Sequence, residues 1–146
     1  MKNIFTAIIF FTSISLYAQD ANDVKAVERT CMNYIEGFYE GDTTKLVAAL
    51  KPSMYKLGFW KNKDGSFSNE GLMSYQAAMN YANNVKEKKK FPKPTAPKEV
   101  KIFEVSEHIA SAKVTAWWGF DYMLLSKENG KWMIEEILWQ GPLFVN

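Results

Sequence analysis

The feature that most constrains how this chain folds is Asn129-Gly130, set between two apolar runs, Phe120 to Ser126 and Lys131 to Trp139. Both central residues of a type I′ turn need positive φ, which Asn and Gly tolerate. Asn-Gly between apolar runs therefore predicts a β-hairpin. With Asn129 and Gly130 as a two-residue loop, Glu128 pairs with Lys131 and the register follows by counting. Leu125 faces Ile134, Met123 faces Glu136, and Asp121 faces Leu138. Period-two alternation then puts Asp121, Met123, Leu125, Trp132, Ile134, Glu136 and Leu138 on one face. Asp121 and Glu136 become diagonal neighbours on a mostly apolar surface. A three-residue loop, Glu128 to Gly130, slips the register by one and sets Tyr122 instead of Asp121 beside Glu136. In an apolar cavity, desolvation and mutual repulsion raise the pKa of one of two such carboxylates, as general acid–base work requires. On a solvent face, the two are ordinary surface carboxylates.

The chain begins MKNIFTAIIFFTSISLYAQ: Lys2, an uncharged apolar core from Ile4 to Leu16, then the small residue Ala18. This is the pattern of a secretory signal peptide, residues 1–18, cleaved near Ala18. The apolar core is shorter than the ~20 residues a spanning helix needs, so no stable membrane insertion is expected after cleavage. The expected location is exported, periplasmic or secreted. Residues 19–146 suffice for one domain with one core. The formal net charge is +2, and Lys2 is the leader's only charge, so the remainder carries +1. Such a balance argues against a nucleic-acid partner. Cys31 is the only cysteine, which excludes an internal disulfide. It lies on a helical apolar stripe, where a buried, inert thiol is expected.

In chain order, Asp20 can cap a helix whose apolar positions Val24, Val27, Cys31, Tyr34 and Phe38 form one face. Gly41 ends it, and Asp42 starts a short second helix burying Leu46, Val47 and Leu50, stopped at Pro52. Met54 to Trp60 reads as a strand, turned at Asp64-Gly65 into a short partner near Phe67. Ser68 or Asn69 then caps a third helix with Leu72, Tyr75, Met79 and Ala82 inward. The Pro-interrupted basic stretch Lys86 to Lys98 cannot be a regular helix or central strand. It reads as a solvated loop, or as an electrostatic contact for an anionic partner. Val100 to Val105 and Ile109 to Trp118 are strands. In the second of these, Ala110, Ala112, Val114 and Ala116 share a parity, leaving room for a packed helix or a ligand. Alternation would place Trp117 and Trp118 on opposite faces. Helices followed by consecutive strands indicate an α+β class with helices on one face of the sheet.

The order helix, helix, hairpin, helix, four strands resembles the nuclear transport factor 2-like cone fold. Tyr34-Ile-Glu-Gly-Phe-Tyr-Glu-Gly-Asp42, Leu50-Lys-Pro52, Asp121-Tyr122 with Leu125, and Asn129-Gly-Lys-Trp132-Met-Ile134 with Leu138-Trp139 look like its Putative lumazine-binding subfamily. The resemblance spans nearly all of residues 19–146. It implies a cone-shaped, curved antiparallel sheet wrapped around a long N-terminal helix, with a pocket at the open end and a homodimer formed through the sheet. Members of that subfamily often carry His where this chain has Lys51 and Leu124, so imidazole chemistry is not carried over. Enzymes on this fold, such as ketosteroid isomerase, use Asp, Tyr and His in the pocket; none of their catalytic motifs is matched here, and a fold alone implies no reaction.

The expected function is binding of an unidentified, partly apolar small molecule, with Tyr34, Phe38, Trp60, Trp118, Asp121 and Glu136 as ligand-binding residues. No catalytic residue is assigned and no cofactor is nominated. A metal site would need several His or Cys ligands, and the chain offers one of each. Two rivals stand beside this reading. One is an isomerase, dehydratase or cyclase using Asp121 or Glu136 with Tyr34; the other is a non-catalytic homodimerisation module with a filled cavity.

Overall fold

The Asn129-Gly130 turn forms with both residues at positive φ, 50° and 77°, and Glu128 pairs with Lys131 and Leu125 with Ile134. The computed structural model describes residues 21–143. The leader 1–18 and the cap at Asp20 lie outside the described residues. Three helices, α1 (Ala21–Glu40), α2 (Thr43–Ala49) and α3 (Tyr75–Glu87), accompany six strands. These are β1 (Leu50–Lys61), β2 (Phe67–Ser74), β3 (Glu99–Val105), β4 (Ile109–Ala116), β5 (Gly119–Glu128) and β6 (Lys131–Gly141). The α-α-β-β-α-β-β-β-β order is the expected one. The strands form one sheet, β2-β1-β6-β5-β4-β3, antiparallel throughout except for β1 and β6, which run parallel. That pair closes a long-range crossover and is not a hairpin, so the sheet is mixed and not purely antiparallel.

The core lies between the sheet's inner face and the helices. α1 packs against β3, β4 and β6, and α3 against β1 and β2. Val27, Cys31, Tyr34 and Phe38 are buried along α1 as the periodicity predicts. Burial pushes the Cys31 thiol up to about 12, so it is an inert core thiol. The small residues Ala110, Ala112, Val114 and Ala116 all face inward, and α1 occupies the room they leave. Gly41, at φ 64°, ends α1, and the Asp42 side chain caps α2 by accepting from the Thr44 and Lys45 amides.

Four local expectations are corrected. Val47 is half exposed, because a two-turn helix buries one narrow face, here Leu46, Ala49 and the following Leu50. α2 stops before Pro52 as expected, but β1 begins at once. The β1–β6 register is irregular between Leu50 and Tyr55, around the proline that can donate no backbone bond. β2 runs on to Ser74, so the cap of α3 is Ser74 and neither Ser68 nor Asn69, and Leu72 points outward, 67 % exposed. Pairing of Leu57 with Leu72 and of Lys56 with Met73 outweighs the local helix signal there. Finally, β4 ends at Ala116, and Trp117-Trp118 is the tight connection to β5 and not the end of a strand.

The consequential correction lies in β6. After Leu125 and Ile134 the register shifts by one, so Leu124 pairs with Glu136, Met123 with Ile137, and Asp121 with Trp139. A β-bulge at Glu135-Glu136 adds one residue to β6 and turns every side chain beyond it to the other face. Ile137 and Trp139 point inward, while Glu136 and Leu138 point outward. The expected Asp121–Glu136 pair therefore does not form. Turning Glu136 out avoids a second buried carboxylate.

Two carboxylates tie α1 to the rest of the fold. Asp23 accepts from Trp132 Nε1 and Lys127 Nζ, both at 2.8 Å, pinning the start of α1 to the hairpin. Glu36 accepts from Lys45 at 2.7 Å. These hydrogen bonds hold both carboxyls below their ordinary values of 3.8 and 4.5. A carboxyl whose folded pKa is depressed contributes stability above its unfolded value and loses it as pH falls through the folded one. The expected result is a melting temperature that drops on acidification below about pH 4. Asp23→Asn should make that drop shallower; an unchanged acid limb in thermal melts would refute the Asp23 contribution.

Candidate functional site

Towards the Trp117-Trp118 connection the inner face opens into a cavity of ≈ 220 Å³. Its walls come from four parts of the chain. Phe38 comes from α1, Tyr81 from α3, Trp117 and Trp118 from the β4–β5 connection, and Trp139 from β6. Glu70, Gly71 and Met73 of β2 complete the rim, and Lys56 of β1 reaches it from below. The aromatic rings meet edge to face: Phe38 and Tyr81 at 5.7 Å, Phe38 and Trp118 at 5.8 Å. That is the arrangement the ring quadrupoles favour.

Lys56 is the residue sequence reasoning missed. It is 6 % exposed and buried on the inner face of β1. Its Nζ donates to Tyr34 Oη at 2.7 Å and to Asp121 Oδ2 at 3.1 Å. Tyr34 Oη in turn donates to Asp121 Oδ2 at 2.6 Å. Trp118 Nε1 donates to the same carboxylate, at 3.0 Å to Oδ1 and 3.2 Å to Oδ2. Asp121, 0 % exposed, thus has three donors around it, as a buried carboxylate requires. The ammonium is also caged by aromatic faces, with ring centroids of Trp118 at 5.0 Å, Trp139 at 5.1 Å and Tyr34 at 5.4 Å.

Burial pushes the Lys56 amine below its ordinary range, and Asp121 opposes that shift without cancelling it. Burial, then the charge and hydrogen bond of Asp121, push the Tyr34 phenol well above its ordinary range, so it stays protonated. Tyr34 and Asp121 are fully buried and meet the cavity through Lys56 and Trp118.

The expected site residues therefore separate. Phe38 and Trp118 line the cavity, and Tyr34 and Asp121 form its polar floor with Lys56. Trp60 sits edge-on to Trp139, ring centroids 6.4 Å apart, behind the wall. Glu136 is on the opposite face of the sheet, beside Tyr55, and takes no part in this site. Trp117 and Trp118 both line the cavity, because they sit in a turn and not in alternating strand positions. Two signals for these placements exist in the sequence. Counting back by twos from Trp60 puts Gly58, Lys56 and Met54 on its face. In β6 the apolar spacing Trp132, Ile134, Ile137, Trp139 breaks alternation at two consecutive glutamates, which marks a bulge.

Gly58 is a spacing residue. A Cβ there would lie 2.0 Å from Trp139 Nε1, so the indole can cover the strand only over glycine. Gly58→Ala should displace Trp139 and destabilise by about 1–3 kcal/mol, as overpacked cores do. Urea denaturation reads this, and a variant as stable as the parent would place the Trp139 ring elsewhere.

Among the described residues, no group of three His, Cys, Asp or Glu side chains is placed to hold a metal, and no helix is long and apolar enough to cross a membrane.

A three-helix, six-strand cone with a cavity under its helices is the nuclear transport factor 2-like fold. Solved structures share that fold. An NTF2-like protein of unknown function from Shewanella baltica superposes with a TM-score of 0.62 at 20% identity, covering 84% of this chain and 95% of that one. Another, from Silicibacter pomeroyi, gives 0.60 at 16% identity over 81% and 94%. A cystatin-like domain of unknown function from Nostoc punctiforme gives 0.57 at 12% identity over 86% and 81%. At these identities the likeness concerns the fold alone. The chain belongs to the family described as Putative lumazine-binding, whose sequence profile matches residues 22–140. No curated protein matches it.

Proposed function

We propose that this protein binds a flat, partly apolar small molecule in the cavity beneath Trp117 and Trp118. One observation carries the reading: an open aromatic-walled cavity has a buried lysine at its floor with donor capacity to spare. An ammonium has three N–H donors, and Tyr34 and Asp121 accept two of those on Lys56. Walls of aromatic rings with one oriented polar group are what a small-molecule site needs. A ring carrying a carbonyl or anionic oxygen satisfies both. Phe38 and Trp118 would stack on the ligand, with Tyr34 and Asp121 holding Lys56 in place. The family description adds support for a heterocyclic ligand of this kind.

The test is a titration of tryptophan fluorescence with lumazine, alongside native mass spectrometry of protein purified gently from its own host. Saturable quenching that Trp118→Leu weakens, or a reproducible adduct of defined mass, supports the proposal. Neither quenching nor an adduct would overturn it.

The outer face favours a second property, a homodimer formed through the sheet. Tyr55, Phe103, Tyr122, Leu124 and Leu138 form an apolar strip there, each between 42 % and 52 % exposed, a larger patch than scattered surface residues explain. Lys101 and Lys113 flank the strip on β3 and β4, and Glu136 lies on its β6 side, a charge pattern that a two-fold axis makes self-complementary. Sedimentation velocity should show a dimer that Leu124→Glu dissociates; a monomer in the parent protein would end this proposal. Export, read from residues 1–18, is likewise part of the proposal, and a secreted or periplasmic form starting near Gln19 would support it.

A further inference from the structure

A lysine held at the floor of a cavity can do more than donate a hydrogen bond. Lys56 lines the cavity, and its Nζ lies within 3.1 Å of a carboxylate and 2.7 Å of a phenol. Resting on the reading of this cavity as a ligand site, we propose that it takes aromatic aldehydes or ketones and that Lys56 Nζ captures them reversibly as a Schiff base. Amines become nucleophiles of this kind when a desolvated pocket favours their neutral form. Among the described residues, Lys56 is the buried lysine.

The chemistry balances on these residues alone. Asp121 accepts a proton from the ammonium, directly or through Tyr34, whose hydroxyl accepts from Nζ and donates to Oδ2. The free lone pair attacks the carbonyl carbon, a C–N bond forms, the C=O π pair moves to oxygen, and a proton passes from the attacking nitrogen to that oxygen, giving a neutral carbinolamine. The nitrogen lone pair then forms C=N as the C–O bond breaks, and the hydroxyl leaves as water with the proton that Asp121 returns. The sum is ammonium plus carbonyl giving protonated imine plus water, with no oxidant or reductant consumed. Having returned its proton, Asp121 is again a carboxylate opposite the iminium. The faces of Trp118 and Trp139, about 5 Å from Nζ, stabilise the iminium as they do the ammonium.

The test uses the full chain, 2-naphthaldehyde and sodium cyanoborohydride at near-neutral pH, followed by peptide mapping. Lys25 on α1 and Lys63 in the β1–β2 turn serve as internal controls, because both are exposed and lie away from the outer-face strip. The proposal expects the reduced adduct to form on Lys56 about tenfold faster than on either control, as an activated amine should. Labelling of Lys56 no faster than the controls overturns it. The ring without the carbonyl, 2-naphthalenemethanol, separates this failure from failure of the binding reading. If the alcohol quenches tryptophan fluorescence saturably while Lys56 shows no preference, covalent capture falls and binding stands. If neither compound binds, both fall. Lys56→Arg, which keeps a cation in the cage, should lose the preferred adduct. The map of the parent protein decides the matter even if that variant fails to fold.

Discussion

Asp121→Ala is expected to destabilise the fold by roughly 3–5 kcal/mol, the cost of removing one partner from a buried ion pair. The carboxylate is 0 % exposed and accepts from Lys56, Tyr34 and Trp118. Without it, a buried ammonium loses its counter-charge, and the tyrosine and indole lose their acceptor. Most of the loss is therefore the penalty of the groups left behind, and not the net worth of the pair. That distinction is measurable. Replacing both charges, Lys56→Met with Asp121→Leu, removes the stranded cation together with the anion and should recover much of the stability, since apolar substitutes for buried pairs are often neutral or better. Urea denaturation of the two single variants and the double variant gives the coupling. A cost under about 1 kcal/mol for Asp121→Ala would mean that Lys56 finds water in its place.

Tyr34→Ala should cost a similar amount, about 3–5 kcal/mol, for the different reason that it empties a core position. Its ring is 0 % exposed and packs edge to face with Phe38 at 5.0 Å and Trp118 at 6.0 Å. Tyr34→Phe keeps those contacts and deletes only the hydroxyl. Asp121 retains Lys56 and Trp118 as donors, so the expected cost is about 1 kcal/mol, that of one hydrogen bond. The two variants therefore separate packing from polar satisfaction in the same chemical denaturation series. Equal losses in Phe and Ala would place the energetic weight on the hydroxyl network and refute the packing account.

What the sequence determined was what short-range physics specifies. Asn129-Gly130 set the turn because it meets a local φ requirement, and the register held for the first pairs beyond it. The stripe on α1 followed from helical periodicity, and the small residues of β4 declared the face that α1 covers. Tyr34 and Phe38 were legible as inner residues for the same reason, and Asp121 from the period-two alternation of β5, whereas Trp118 lines the cavity from a turn that alternation does not describe.

What only the tertiary structure decided was which face of β1 and of the far half of β6 turns inward. In β1 the apolar set Tyr55, Leu57 and Phe59 is the natural candidate for the core by hydrophobicity. Yet Tyr55 and Phe59 point outward, and Lys56 points in. The choice is settled non-locally. Alternation groups Lys56 with Met54, Gly58 and Trp60 but does not say which group turns inward. A buried lysine is tolerable only where Asp121 and Tyr34, 65 and 22 positions away on β5 and α1, are waiting for it. The β6 bulge follows the same logic, because it places Trp139 over Gly58 and keeps Glu136 in water. Face selection is a property of the assembled sheet and its covering helices, whereas turns and stripes belong to the chain itself.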